Sequence, residues 1–180
     1  QNLPEAQIAR AQLGLPKGFT AVYTGHFYAG RGMELLLSLA ARMPDISFVL
    51  VGGNQTDIVY WQEKVTAAGA RNITITGFVP KAKLPLYQAA GDVLLMPYET
   101  AIAGSSGGNS AEICSPMKMF DYLATGRVII TSELPVLHEV LNEVNAIFCP
   151  PADVSAWSAA IRRVQQNPDL ASNMAKKEKK

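Results

Sequence analysis

Short apolar runs that end at glycine or proline alternate along this chain with segments of helical periodicity. The clearest run covers residues 46–51, which are almost continuously apolar and stop at Gly52 and Gly53. Such a run is typical of a strand in a parallel sheet, because helices cover that strand on both faces. We predict further strands at residues 19–24, 72–76, 92–96, 128–131 and 146–149. The order strand, helix, strand, repeated about six times with short connections, predicts a Rossmann-like, doubly wound parallel sheet with helices on both faces.

The composition fits a folded domain and excludes several classes of protein. The chain has 180 residues, of which 48% are hydrophobic and 17% are charged, and its net charge is +1. The apolar fraction is too high for a disordered chain, and the charge is too small to attract nucleic acid or an anionic membrane. No apolar run reaches the ~18 residues of a membrane span, and Cys114 and Cys149 lack the spacing of a zinc site. We therefore expect a single domain over residues 1–180 of a cytoplasmic protein.

Ligands bind such sheets beyond the carboxyl ends of the strands, so the residues after each strand are the candidates for a site. The first strand is followed by residues 25–32 (GHFYAGRG), and a helical pattern covers residues 31–42. Gly25 lets the backbone approach a ligand and Arg31 can pair with a phosphate, although a glycine-rich turn with a solvated arginine is the alternative. A P-loop is excluded, because Arg31 replaces its lysine and Gly32 its hydroxyl residue.

A second candidate site lies at the start of a later helix, in residues 115–122 (SPMKMFDY). Ser115 is a favourable N-cap, and the proline after it suits the first helical position. The amides of Met117 and Lys118 would then lie at the positive end of the helix dipole, where an anion binds. Asp121 is either a carboxylate for ribose hydroxyls or a surface ion pair with Lys118, which lies one turn away.

Other strand ends supply weaker candidates. His26 follows the first strand and either contacts a ligand or has a structural role, which is more common for a single histidine. Gly53 either shapes the turn after the second strand or leaves room for a ligand. Phe78 and Val79 belong to the turn 77–80 (GFVP) after the third strand, against which a flat base could lie. No Ser–His–Asp set, Cys–His pair or metal-ligand cluster has a recognisable arrangement, so the sequence indicates no catalytic residue.

Five segments, in this order, resemble the C-terminal, donor-binding domain of the group 1 (family four) glycosyltransferases. They are residues 13–16 (LGLP), 25–32, 77–80, 90–93 (AGDV) and 115–126 (SPMKMFDYLATG). The resemblance covers residues 13–165 and implies the GT-B fold, in which two Rossmann-like domains face a cleft. Because the chain also begins with glutamine and ends in a charged run, we expect it to be one half of such an enzyme, without the acceptor-binding N-terminal domain.

The resemblance also implies roles for individual residues. In the family, a basic residue at the position of Arg31 holds the donor diphosphate, together with backbone amides at the positions of Met117 and Lys118. A carboxylate at the position of Asp121 binds the ribose, and the base lies near the turn 77–80.

The chain departs from the family pattern at three positions. The family often carries two glutamates, where this chain has Ile113 and Asp121. Ile113 cannot contact a sugar by charge, and Glu112 could substitute for it if the loop shifts. His26 stands where a basic residue is common.

The resemblance therefore predicts a retaining glycosyltransferase of the hexosyltransferase type that needs no cofactor and no metal. It would transfer a sugar from a nucleotide-sugar donor to an acceptor hydroxyl in polysaccharide or glycoconjugate synthesis. The acceptor, a glycan or a lipid-linked sugar, would bind the absent domain, which would also make any contact with the inner membrane face. The chain alone is predicted to be inactive, and no nucleic acid is expected as a partner. Two alternatives stay open: another GT-B-like enzyme, such as a nucleotide-sugar epimerase, and a non-catalytic nucleotide-binding module.

Overall fold

The computed structural model describes residues 2–100 and 116–177, and its centre is a parallel sheet. The strands of this part are β1 (Thr20–Gly25), β2 (Ser47–Gly52), β3 (Ile73–Gly77), β4 (Val93–Met96), β5 (Val128–Ser132) and β6 (Ala146–Cys149). They are all parallel and lie in the order β3-β2-β1-β4-β5-β6. This is the strand order of a Rossmann fold, and it confirms the predicted fold class.

Helices connect the strands. They are α1 (Ala6–Leu13), α2 (Met33–Arg42), α3 (Gln55–Ala67), α4 (Leu84–Ala89), α5 (Pro116–Ala124), α6 (Val154–Gln166) and α7 (Pro168–Lys177), with 3-10 turns at Lys81–Lys83 and Pro135–Glu139. Within the described ranges, no helix combines the length and the apolar character needed to cross a membrane.

The hydrophobic core has one layer on each face of the sheet, because successive side chains of a strand point to opposite faces. Tyr23 and Leu95 point to the layer formed with α2, α3 and α6, where Trp157 is completely buried. Val22 and Met96 point to the other layer, which α5 and the Pro135–Glu139 turn cover. The continuous apolar runs of the sequence are therefore strands that are buried on both sides.

A buried polar network fastens α1 to the amino ends of β1 and β4. Arg10 is only 4% exposed, and its guanidinium donates to the carbonyl of Ala90 (2.8 Å) and to Oδ2 of Asp92 (3.0 Å). The same Oδ2 accepts the amide of Thr20 at 2.8 Å. Asp92, from the AGDV segment, therefore has a structural role, at the edge of the sheet opposite the predicted ligand edge.

Candidate functional site

The loop between β1 and α2, residues 26–32, is braced against the end of β4. The amide of Glu99 donates to the carbonyl of Gly30 at 2.9 Å. A Cβ atom at Gly32 would lie 1.9 Å from the carbonyl oxygen of Pro97, so only glycine allows the loop to come this close. The loop is thus fixed at the carboxyl edge of the sheet, where ligands of this fold bind.

Arg31 lies in this loop and not in the helix that follows. The helical pattern predicted a helix from residue 31, but α2 begins at Met33, because Gly30 and Gly32 have φ values of +84° and +87° that a right-handed helix does not allow. The guanidinium carbon of Arg31 lies 5.6 Å from the ring centre of Tyr98, which is completely buried.

Lys118 of α5 reaches the same ring. Its Nζ lies 5.4 Å from the ring centre of Tyr98, 4.5 Å from that of Tyr23 and 5.5 Å from that of Tyr122. Cations are attracted to aromatic faces at these distances, by about 0.5–2 kcal/mol depending on desolvation. We call these three tyrosines the tyrosine cage. The structure thus brings the side chains of Arg31 and Lys118 to one place from two distant segments.

Two hydroxyls of the tyrosine cage, those of Tyr23 and Tyr122, bind backbone groups near the ends of β1 and β4. The hydroxyl of Tyr23 donates to the carbonyl of His26 at 2.5 Å. That of Tyr122 accepts the amide of Thr24 at 3.0 Å and donates to the carbonyl of Leu95 at 3.3 Å. Burial raises the pKa of Tyr122 to about 12 and that of Tyr23 well above its usual value, so both rings stay neutral. Tyr23 and Tyr122 therefore offer neutral, hydrogen-bonded rings to the cation.

His26 belongs to the same electrostatic environment. Its exposed ring stacks on that of Tyr28, with 4.8 Å between the ring centres. Partial burial lowers the pKa of His26, the positive charges of Arg31 and Lys118 lower it further, and the carboxylate of Asp57 opposes them. The imidazole is therefore neutral at pH 7 in the absence of an anion.

The turn after β3 presents one of its two candidate residues to solvent. Phe78 is 83% exposed, whereas Val79 packs against the core layer of α5. At Gly53, a Cβ atom would lie 2.7 Å from the ring of Phe27, so a larger residue would displace that ring. Of these candidates, Phe78 is the side chain that a ligand base can contact directly.

The outer surface of α5 carries the remaining candidates. Met117 is 65% exposed, and Asp121 is also exposed. Asp121 and Lys118 form no ion pair with each other in the described part of the chain, and the ammonium of Lys118 lies in the tyrosine cage. Ser115, together with Glu112 and Ile113, lies outside the described residues.

Sequence reasoning missed the tyrosine cage. Tyr23 lies inside a strand and Tyr122 inside a helix, so their periodicity indicates only core positions. No motif signals that these residues meet, because 99 positions separate them in the chain and only the strand order brings them together.

Residues 18–167 match the protein family described as "Glycosyl transferases group 1". The chain belongs to this family. Among its relatives is TuaH of Bacillus subtilis, a protein named for teichuronic acid biosynthesis. The two are 27% identical over 136 residues, which cover 75% of this chain and 31% of TuaH.

Solved structures of glycosyltransferases have the same fold. Sucrose-phosphate synthase from Thermosynechococcus elongatus matches with a TM-score of 0.77 and 26% identity, over 97% of this chain and 43% of that protein. Anabaena HepE, solved in complex with UDP-glucose, matches with a TM-score of 0.75 and 16% identity, over 94% of this chain and 45% of HepE. The group 1 chain therefore has the fold of one of the two Rossmann-like halves of a GT-B enzyme, and it spans less than half the length of each protein named here.

Proposed function

We propose that this chain binds the nucleotide-sugar donor of a retaining glycosyltransferase. The observation that carries the proposal is the convergence of Arg31 and Lys118 on Tyr98 at the carboxyl edge of the sheet. Membership of the group 1 family and the UDP-glucose complex of the similarly folded HepE support it.

The chemical task of the two cations is to stabilise the leaving group. As the bond between sugar and diphosphate breaks, negative charge grows on the diphosphate. A guanidinium and an ammonium held in place before the reaction stabilise that charge without reorganisation. The amides of Met117 and Lys118 lie in the first turn of α5, and they add the positive end of its dipole. In this proposal these groups do what a metal ion does in other phosphate-transferring enzymes.

The remaining candidates place the rest of the donor. The base lies against Phe78, and Asp121 accepts the ribose hydroxyls. We further propose that sugar transfer to the acceptor takes place in a cytoplasmic two-domain enzyme, in polysaccharide or glycoconjugate synthesis. The second domain binds the acceptor and makes any contact with the inner membrane face.

Calorimetric titration of the 180-residue chain with UDP, GDP and ADP tests the proposal and identifies the base. We expect Arg31→Ala and Lys118→Met each to weaken binding of the preferred nucleotide by about 10- to 100-fold, since a hydrogen bond to a charged group contributes about 1.5–3 kcal/mol. Arg71→Ala is the matched control, because Arg71 is an exposed arginine before the amino end of β3.

Two results would contradict the proposal. One is the absence of binding by all three nucleotides at millimolar concentration. The other is a change of less than twofold in both site variants. The corresponding nucleoside, which has no phosphate, should bind the native chain and Arg31→Ala equally.

A further inference from the structure

The sheet opens between its two central strands at the edge where the cations lie. In the described ranges, the ladder between β1 and β4 ends with Val22 opposite Leu94. On their other sides the two strands stay paired for longer, β1 with β2 as far as Gly25 and β4 with β5 as far as Met96. The ends of β1 and β4 therefore diverge and leave a gap at the carboxyl edge. In this strand order, ligands of the fold bind at that point.

The hydroxyl of Tyr122 lies in this gap and joins the two strands. From β1 it accepts the amide of Thr24 at 3.0 Å and the hydroxyl of Thr24 at 3.2 Å. It donates to the carbonyl of Leu95, in β4, at 3.3 Å. A tyrosine hydroxyl has one proton to donate and two lone pairs, so these three bonds use all of its capacity. Tyr122 and Thr24 are buried, so water does not replace the hydroxyl easily.

Tyr122 also belongs to the helix that carries Lys118. It lies one helical turn after Lys118 on the same face of α5, and its ring centre is 5.5 Å from the ammonium nitrogen. Because the ring and the lysine leave the helix side by side, the bonds of the hydroxyl also set where the ammonium lies over the sheet. The same bonds hold the first turn of α5, whose amides we assign to the diphosphate.

The two strands that the hydroxyl joins lead directly to the other parts of the candidate site. β1 continues into the loop that carries Arg31, and β4 continues into Pro97 and Tyr98. The two continuations meet again where the amide of Glu99 donates to the carbonyl of Gly30. One hydroxyl therefore connects the three segments that supply the two cations and the ring that both of them approach.

We propose that Tyr122 is a positioning residue for the donor diphosphate, because its hydroxyl fixes the spacing between Lys118 and Arg31. This inference rests on the proposed function, since Tyr122 acts through the two cations and does not itself touch the ligand. A cation that moves by about 1 Å loses good hydrogen-bond geometry to a phosphate oxygen.

A purely structural role predicts a different result. Loss of stability alone weakens the binding of every ligand of the site by the same factor, because it only lowers the folded fraction of the chain. Loss of the spacing between the cations weakens the binding of ligands that carry phosphate and spares those that do not. The ratio of nucleoside to nucleotide dissociation constants separates the two roles.

Tyr122→Phe tests the proposal, because it removes the hydroxyl and keeps the ring in the core. The probes are UDP, GDP and ADP with the corresponding nucleosides, titrated into ¹⁵N-labelled native and variant chains. For the nucleotide that the native chain prefers, we expect the dissociation constant to rise about 5- to 10-fold in Tyr122→Phe. That of its nucleoside should stay within about twofold. Tyr87→Phe is the matched control, because it removes a half-buried hydroxyl from α4 against the same core layer, and it should change neither constant.

A second measurement needs no ligand. The rings of the tyrosine cage shift the proton signals of the methylene group next to Nζ of Lys118, and Lys118→Met identifies these signals by their absence. All three rings are retained in Tyr122→Phe. Movement of the signals toward those of an exposed lysine therefore reports displacement of the ammonium. We expect this movement in Tyr122→Phe and none in Tyr87→Phe.

The positioning role is overturned if Tyr122→Phe leaves the Lys118 signals in place, or if the ratio of the two dissociation constants stays as it is in the native chain. If Tyr122→Phe does not fold, Thr24→Val replaces it, because valine matches threonine in shape and removes one of the three bonds. A ratio in that variant equal to the native ratio also overturns the proposal. The proposed function fails by a different result, in which the native chain binds none of the three nucleotides, whatever the Lys118 signals do.

Discussion

Replacing Gly25 with alanine should displace the ammonium of Lys118 from the tyrosine cage. The Cβ atom of the alanine would lie 2.8 Å from Nζ of Lys118 and 3.0 Å from the hydroxyl oxygen of Tyr23. The first distance is shorter than real contacts of a Cβ atom. Because the lysine end is flexible and the tyrosine hydroxyl is bound to the backbone, the lysine is the group that moves.

The cost of the substitution has two parts. Gly25 has φ +148°, where a residue with a side chain is strained by about 1–3 kcal/mol. Loss of the aromatic contacts of a partly desolvated ammonium adds about 1–2 kcal/mol. Gly18→Ala isolates the first part, since Gly18 has φ +102° and no atom within 4 Å of its Cβ position. We therefore expect Gly25→Ala to lower the free energy of unfolding by about 1–2 kcal/mol more than Gly18→Ala does.

Urea unfolding followed by tryptophan fluorescence measures both costs, because Trp157 is completely buried. The decisive comparison is Gly25→Ala in the native chain and in a Lys118→Met background, as a double-mutant cycle. The substitution should cost about 1–2 kcal/mol less in the second background, where the ammonium is absent. Equal costs in the two backgrounds would mean that the ammonium does not lie beside Gly25, and the geometry of the site would be refuted.

Two further predictions concern the polar network and the histidine. Asp92→Ala leaves the buried guanidinium of Arg10 without its carboxylate, so it should lower the free energy of unfolding by about 3 kcal/mol in urea titrations. Nucleotide affinity should not change. A loss of stability below about 1 kcal/mol would contradict the structural role given to this ion pair. UDP-glucose, whose phosphates are both esterified and do not titrate near neutrality, should bind more tightly as the pH falls from about 8 to about 6. The reason is that Arg31 and Lys118, together with partial burial, lower the pKa of His26 in the free chain, and a bound diphosphate favours its protonated form, so binding takes up a proton. Calorimetry at several pH values should show this trend in the native chain and a flat profile in His26→Gln, and parallel profiles in the two proteins would disprove it.

Most of the sheet was predictable from the sequence, because strands buried on both faces leave continuous apolar runs. Residues 46–51 predicted a strand, and β2 covers Ser47–Gly52. The start of α2 was not predictable from periodicity alone. The predicted helix began at residue 31, but the backbone conformation of Gly32 and its close approach to Pro97 place the first helical residue at Met33.

The candidate site also contains residues that the sequence predicts and residues that it does not. Arg31 and Lys118 were predictable because they follow glycine-rich or helix-starting signals at strand ends, where the fold collects ligand-binding residues. Tyr98 was not predictable as a site residue, since an aromatic residue next to a buried strand usually belongs to the core. It does belong to the core, at 0% exposed, and it also lies beside both cations.

The contact between Gly32 and Pro97 limits how this loop can diverge. A side chain at position 32 would clash with the carbonyl of Pro97 and displace the loop from the end of β4, so this position should not tolerate substitution. Tyr28 and Ala29, in contrast, are exposed. Substitutions at these two positions should therefore change the surface of the loop at the carboxyl edge of the sheet and leave its backbone in place.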